Sequence, residues 1–219
     1  MSNIFDSREN SSLTTKVFQY IRDGIIEGRY QTGDYLVETR LAEELGVSRT
    51  PVREALKQLE LEDLAEAIPN RGVVVKGFSR EDIDDIFTIR YLLEGLAAYW
   101  AALRIKPQQL EKLSELIELM ELYTRRGDSA NLTRLDTEFH EVIFTASDSR
   151  TLKHILASLH QNIHYARKSS LTSPTRPLSS LKEHKEIYAA LLAHDQERAK
   201  SCMESHVHTA GDFKSQLIE

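Results

Sequence analysis

Apolar residues recur at helical spacing from Thr14 to about Glu27, where Val17, Ile21 and Ile25 fall every four positions beside Phe18. That pattern makes one face of a helix apolar. Gly28 and the Gly33-Asp34 pair interrupt it. A short helix is expected from about Glu38 to Leu45, with Leu41 and Leu45 on one side, and Gly46-Val47 reads as a tight turn. Ser48 stands where a helix N-cap belongs, and Pro51 falls in the first turn, where a missing N–H costs little. Val52, Ala55, Leu56 and Leu59 then repeat at the i, i+3, i+4, i+7 spacing of a buried face. Leu64 to Ile68 and Val73 to Lys76 read as short strands around the turn Pro69-Asn70-Arg71-Gly72, the pattern of a hairpin. Helix, helix, tight turn, helix and hairpin outline a winged helix-turn-helix.

After Lys76-Gly77-Phe78, which reads as a hinge, no strand pattern remains. Helical periodicity runs over Ser79 to Arg104, Pro107 to Arg126, Ala130 to Ala146, Thr151 to Lys168, Leu178 to Ala193 and Gln196 to Ile218. A Ser/Pro-rich break, Ser169 to Pro177, falls before the fifth of these. The fold expected is mainly α: an N-terminal winged helix-turn-helix over residues 1–76 and an all-α helical bundle over residues 77–219.

Composition bounds the function. Of 219 residues, 28 are Lys or Arg and 34 Asp or Glu, a net charge of -6. The first 76 residues are also slightly acidic, so any contact with nucleic acid must come from a local basic patch. The one cysteine, Cys202, excludes an internal disulfide and fits a reducing compartment. The longest run free of polar residues, Leu96 to Leu103, is far short of the roughly 20 apolar residues of a spanning helix. The first residues also lack the layout of a signal peptide. The expectation is a cytoplasmic protein without a membrane partner.

The helix opening at Ser48 supplies the basic patch. With Val52, Ala55, Leu56 and Leu59 turned inward, Ser48, Arg49, Thr50, Arg53 and Lys57 lie at its N-terminus or on its outer face. A helix N-terminus offers N–H groups to phosphate, and arginines reach guanine edges in a major groove. Arg71 and Gly72 at the hairpin tip are placed to meet a neighbouring groove. On pattern alone, a solvated basic face on a small helical domain accounts for these residues equally well.

All eight histidines lie between His140 and His208. Placing residues at about 100° each puts His206 at the centre of the stripe Ala199, Cys202, Met203, Ala210 and Phe213, and His184 with Ile187, Tyr188 and Leu191. Asp136 falls on the flank of the Leu132, Leu135, Phe139 and Ile143 face, and His140 one turn on and slightly outward. Asp and His at i, i+4 project side by side and can bind one ion. By the same wheel His160 lies at an edge, His164, His154 and His208 point away, and His194 sits in a turn. Asp136, His140, His184 and His206 are therefore the candidate ligands of a divalent ion, with Zn, Ni, Mn or Fe all suited to the donor set. Four unrelated polar residues are the alternative. Arg90 and Glu94 fall on the apolar stripe of the helix from Ser79, either as an internal ion pair or with Arg90 facing a ligand. Asn162 and Arg167 are weaker candidates for the same pocket.

The stretch Leu41-Ala42-Glu43-Glu44-Leu45-Gly46-Val47-Ser48-Arg49-Thr50-Pro51-Val52-Arg53-Glu54-Ala55-Leu56, followed by Leu59-Glu60 and Asn70-Arg71-Gly72-Val73, closely resembles the DNA-binding domain of GntR-type bacterial transcription regulators. The helical remainder is similar to the FCD-type ligand-binding domain of their FadR-like subgroup. The resemblance implies a homodimeric regulator of double-stranded operator DNA. It also implies a metal at an Asp-x3-His…His…His set, matched here at all four positions, and a small organic acid as effector facing Arg90. One departure stands out: before the wing the family usually has Glu-Gly-Leu, whereas Glu62-Asp63-Leu64 has Asp at the glycine position. Asp tolerates a left-handed backbone better than most residues. Two other readings stay open: a metal-dependent hydrolase in the helical domain, and a regulator that senses the metal itself.

Overall fold

The computed structural model describes residues 12–69, 71–77, 79–162 and 175–212. They divide into two compact units, one ending at Ser79 and one beginning at Arg80.

In the first unit, α1 (Leu13–Ile26) starts at Ser12, whose hydroxyl accepts from the Thr15 amide at 3.1 Å. The short strand β1 (Tyr35–Leu36), the helices α2 (Glu38–Leu45) and α3 (Arg49–Leu61), and the strands β2 (Ala65–Ile68) and β3 (Gly72–Val75) follow. Gly46, at φ +66°, ends α2 in the left-handed conformation that glycine adopts without a Cβ clash. The sheet is antiparallel in the order β1-β3-β2, with Ala65 opposite Val75 and Tyr35 opposite Val74. Strand β1 is an addition to the two strands expected. The apolar periodicity is spent as its spacing dictates: Val17, Ile21, Leu45, Val52, Ala55, Leu59 and Leu64 form one core in which each is at most 1% exposed. Burying α1 against this face of α3 fixes which side of α3 is left to solvent.

The second unit is all helix among its described residues: α4 (Arg80–Arg104), α5 (Pro107–Arg126), α6 (Ser129–Ala146), α7 (Arg150–Asn162), α8 (Arg176–Leu192) and α9 (Gln196–Asp212). Each of the six expected helical segments is present over its described residues, the expected stretches 163–168 and 213–218 lying outside them, but α8 opens at Arg176, inside the stretch read as a break. Helix α4 packs against α6, α7, α8 and α9. Ala97, Ala98, Ala101 and Ala102 are fully buried on it, and Gly95 lets α9 come close, since a Cβ there would sit 2.7 Å from Glu204 Cγ. By length and composition α4 is apolar enough to cross a membrane. In the fold, its inward side carries the buried ion pair Arg90–Glu94 and packs on the other helices.

Candidate functional site

In the first unit, Ser48 caps α3 in extended conformation, φ -71° and ψ 163°, but its hydroxyl makes no capping hydrogen bond. Ser48, Arg49, Thr50, Arg53 and Lys57 are all exposed, because the alternate face of α3 is consumed by the core. The two arginines converge on one acid. Arg49 Nε donates to Glu38 Oε1 at 2.6 Å, and Arg53 donates through Nε and Nη2 at 3.0 and 2.9 Å. These bonds from Arg53, then Arg49, hold the Glu38 carboxyl below its usual range. Lys57 pairs with Glu54 at 3.0 Å.

Arg71 and Gly72 are exposed at the hairpin, and Gly72 has φ +101°. Asp63 takes φ +57°, in the left-handed region, and Lys76 Nζ sits 2.5 Å from its carboxylate. Arrayed this way, α3 offers two guanidiniums, an ammonium and a helix N-terminus to a polyanion.

In the second unit, Asp136 and His140 of α6, His184 of α8 and His206 of α9 are brought together. One ligand atom from each lies within 4.8 Å of the others, and all four residues are buried. His140 Nε2 and His206 Nε2 are 3.2 Å apart, and His184 Nε2 is 3.3 Å from Asp136 Oδ1. The wheel placed His140 slightly outward; it is fully buried, because α4 and α7 cover that side of α6.

Burial, and then the neighbouring imidazole of His206, holds His184 well below its ordinary pKa. Burial and His140 do the same for His206. Both are therefore neutral at pH 7, the form that donates a lone pair to a metal. His184 Nε2 has no hydrogen-bond partner among the described residues, and an unsatisfied buried nitrogen costs about 1–3 kcal/mol. A divalent ion among these four donors would satisfy it, so the residues fit the group. Beside Asp136 and His184, a cavity of about 10 Å³, also lined by Thr124 and Ser180, is the size of one water molecule.

Behind His140 lies a second buried cluster. Glu94 accepts from Arg90 Nε at 2.6 Å and contacts His160 Nε2 at 2.9 Å, while its Oε2 lies 2.7 Å from His140 Nδ1. Burial alone would raise the Glu94 carboxyl; Arg90, His160 and His140 outweigh it and hold the group well below the carboxylate range. Arg90 thus meets an internal acid, with its guanidinium carbon 5.0 Å above the Phe87 ring. Of the weaker candidates, Arg167 lies outside the described residues, as does the side chain of Asn162.

Sequence reasoning missed three participants. His160, placed at an edge by the wheel, is 7% exposed because Glu94 of a neighbouring helix receives it. Glu183 accepts from His206 Nδ1 at 2.7 Å and from the buried Arg176 at 2.7 Å. Its carboxyl is pushed up by burial and drawn back by Arg176. The signal that was available is the i, i+7 spacing of Arg176 and Glu183 on one helix face, beside His184. His154 and His208 are exposed, as their wheel positions require, and His194 occupies the α8–α9 turn, where its Nδ1 is 2.8 Å from the Ala102 carbonyl.

Comparison with known proteins covers both units. Residues 13–75 match the family described as bacterial regulatory proteins, gntR family, and residues 85–209 match the FCD domain. The transcriptional regulator YdhC of Bacillus subtilis is 30% identical over 92% of this chain and 91% of its own length. The gluconate operon transcriptional repressor of the same organism is 33% identical over 68% of this chain and 61% of its own. Among solved structures, Escherichia coli McbR/YncC superposes with a TM-score of 0.76 at 27% identity, covering 95% of this chain and 100% of that one.

Proposed function

Because the chain belongs to the gntR family of bacterial regulatory proteins, DNA-binding transcription regulators, and carries an FCD domain, we propose that a small carboxylate governs its affinity for operator DNA through a divalent metal ion. Asp136, His140, His184 and His206 hold that ion. The observation that carries this reading is the convergence of three buried imidazoles and one carboxylate, with His184 Nε2 otherwise unsatisfied. When bound, the ion would supply a positive charge that attracts a carboxylate. The protein's part is to orient the donors, keep them neutral and exclude bulk water. A carboxylate oxygen would enter from the side of Asp136 and His184, where Thr124 and Ser180 line the small cavity. The gluconate operon repressor is named for a sugar acid, which supports the same class of signal, and repression, here.

The DNA-reading residues are Ser48, Arg49, Thr50, Arg53 and Lys57 on α3, with Arg71 and Gly72 at the wing. Two such helices read two half-sites, so the working unit is a homodimer. Ile89, Leu92 and Leu103, which fall in one stripe of α4 and are 42%, 59% and 61% exposed, give it an apolar face to bury. Effector binding alters helix packing around the site, and a hinge at Gly77 carries that change to the DNA-reading unit. The shift is limited to the effector's differential affinity for the two arrangements.

A thermal-shift screen of small carboxylates, run on the full chain with and without Zn(II), Ni(II) or Mn(II), tests this reading. A true effector raises Tm by mass action only when metal is present. A stabilising acid that acts equally well without metal contradicts it, and a switch of DNA binding by metal alone would make the ion itself the signal.

A further inference from the structure

His206 has two ring nitrogens, and only one can serve a metal. Its Nδ1 lies 2.7 Å from Glu183 Oε2, and its Nε2 lies 3.2 Å from His140 Nε2, inside the cluster of donors. Glu183 is itself held: Arg176 Nη1 reaches both of its oxygens at 2.7 Å, and Arg176 is 2% exposed. A guanidinium can only donate, so both oxygens of Glu183 accept from Arg176, and as a carboxylate Glu183 can only accept from His206 as well, so that bond runs from Nδ1–H to Oε2. That leaves His206 Nε2 without a proton, its lone pair aimed into the cluster toward His140.

We infer that Glu183, anchored by Arg176, is a positioning residue for the metal centre: it fixes His206 as the Nδ1–H tautomer and so delivers the Nε2 lone pair to the ion. The inference rests on the metal reading proposed above. One helix, α8, thus supplies a ligand (His184), the acid that orients a second ligand (Glu183) and, two turns before that acid, the cation that holds it in place (Arg176). The imidazole so oriented comes from α9. A carboxylate on the remote nitrogen of a ligand histidine raises its basicity and locks the ring, and losing such a partner costs about 10–100-fold in metal affinity. Arg90, Glu94 and His140 repeat the order of cation, acid and imidazole from α4. There the 2.7 Å approach of Glu94 to His140 Nδ1 is a contact without hydrogen-bond alignment, so the inference concerns His206 alone.

Two measurements on the full-length chain test it. Two-bond ¹H–¹⁵N spectra of the metal-free protein, with the His206 signals identified by their loss in His206→Ala, read the tautomer directly in wild type. Competition with a chromophoric chelator gives Zn(II) affinity for wild type, Glu183→Ala and Glu183→Gln. The expected result is the Nδ1–H tautomer in wild type, an affinity about 10–100-fold lower in Glu183→Ala, and recovery to within a few-fold in Glu183→Gln, whose amide oxygen still accepts. An Nε2–H tautomer in wild type, or wild-type affinity in Glu183→Ala, overturns the inference. Should Glu183→Ala not fold, the wild-type tautomer decides. A wild-type chain that takes up no metal defeats the metal reading, whereas normal uptake that ignores Glu183 defeats this one.

Discussion

Arg53 donates two hydrogen bonds to Glu38, at 3.0 and 2.9 Å, and Arg49 shares the same carboxylate at 2.6 Å. Glu38 stands in the first turn of α2, a helix held in the core by Leu41 and Leu45. Two long guanidinium groups are therefore gathered at the outer face of α3, the helix proposed to read DNA, in the free protein. Their ordering entropy, of the order of 2 kcal/mol of rotamer freedom per side chain, is partly spent in the free protein.

Arg49→Ala should cost about 1–3 kcal/mol in operator binding and relax the base preference, as expected of an arginine that reads guanine. Anisotropy titrations on operator and on random duplex separate the outcomes. An equal loss on both would show that Arg49 touches phosphate only.

Glu38→Ala should act in opposite directions on the two kinds of DNA. Removing a negative charge strengthens binding to random duplex, while releasing Arg49 and Arg53 from their shared acceptor weakens discrimination. The ratio of operator to random affinity should fall. If that ratio is unchanged, Glu38 has no part in aiming the arginines.

Asp63→Gly should leave the fold intact and raise its stability by up to about 1 kcal/mol. A non-glycine residue in the left-handed region costs about 1–2 kcal/mol, offset by the greater freedom of glycine in the unfolded chain. The Lys76–Asp63 pair is largely exposed and contributes little. Denaturant midpoints check the sign. A loss of stability beyond about 1 kcal/mol would mean that Lys76 holds this turn through Asp63.

Tyr30 sets a limit at high pH. Burial, with Glu44 next, pushes its phenol up to about 12 from 10.0. Above pH 10 the unfolded chain gives up this proton while the folded chain keeps it, so stability falls from pH 10 until the folded phenol ionises near 12. Comparing denaturation of wild type and Tyr30→Phe across that window isolates the effect: the wild-type curve should descend more steeply. Parallel curves would contradict the raised value.

The α3 face and the positions of Asp136, His184 and His206 were legible because a 3.6-residue period fixes direction around a helix, whatever packs against it. Strand β1 was not, since two residues carry no alternation and their order comes from pairing with β3. Arg176 was hidden by the Ser/Pro-rich stretch around it; Pro177 reads as a breaker but is well tolerated in a first helical turn. His160 shows the limit of a single-helix wheel, because its burial is decided by Glu94 on another helix, 66 residues away in sequence.

Coupling between the histidine cluster and DNA is the centre of the account, and one titration tests it most directly. Anisotropy of a labelled operator fragment is followed as a stabilising carboxylate is added to metal-loaded wild type and to His206→Ala. The operator Kd should shift by about 5–150-fold, the usual span of an allosteric coupling, in wild type and not at all in the variant. An equal shift in both, or none in metal-loaded wild type, would contradict it.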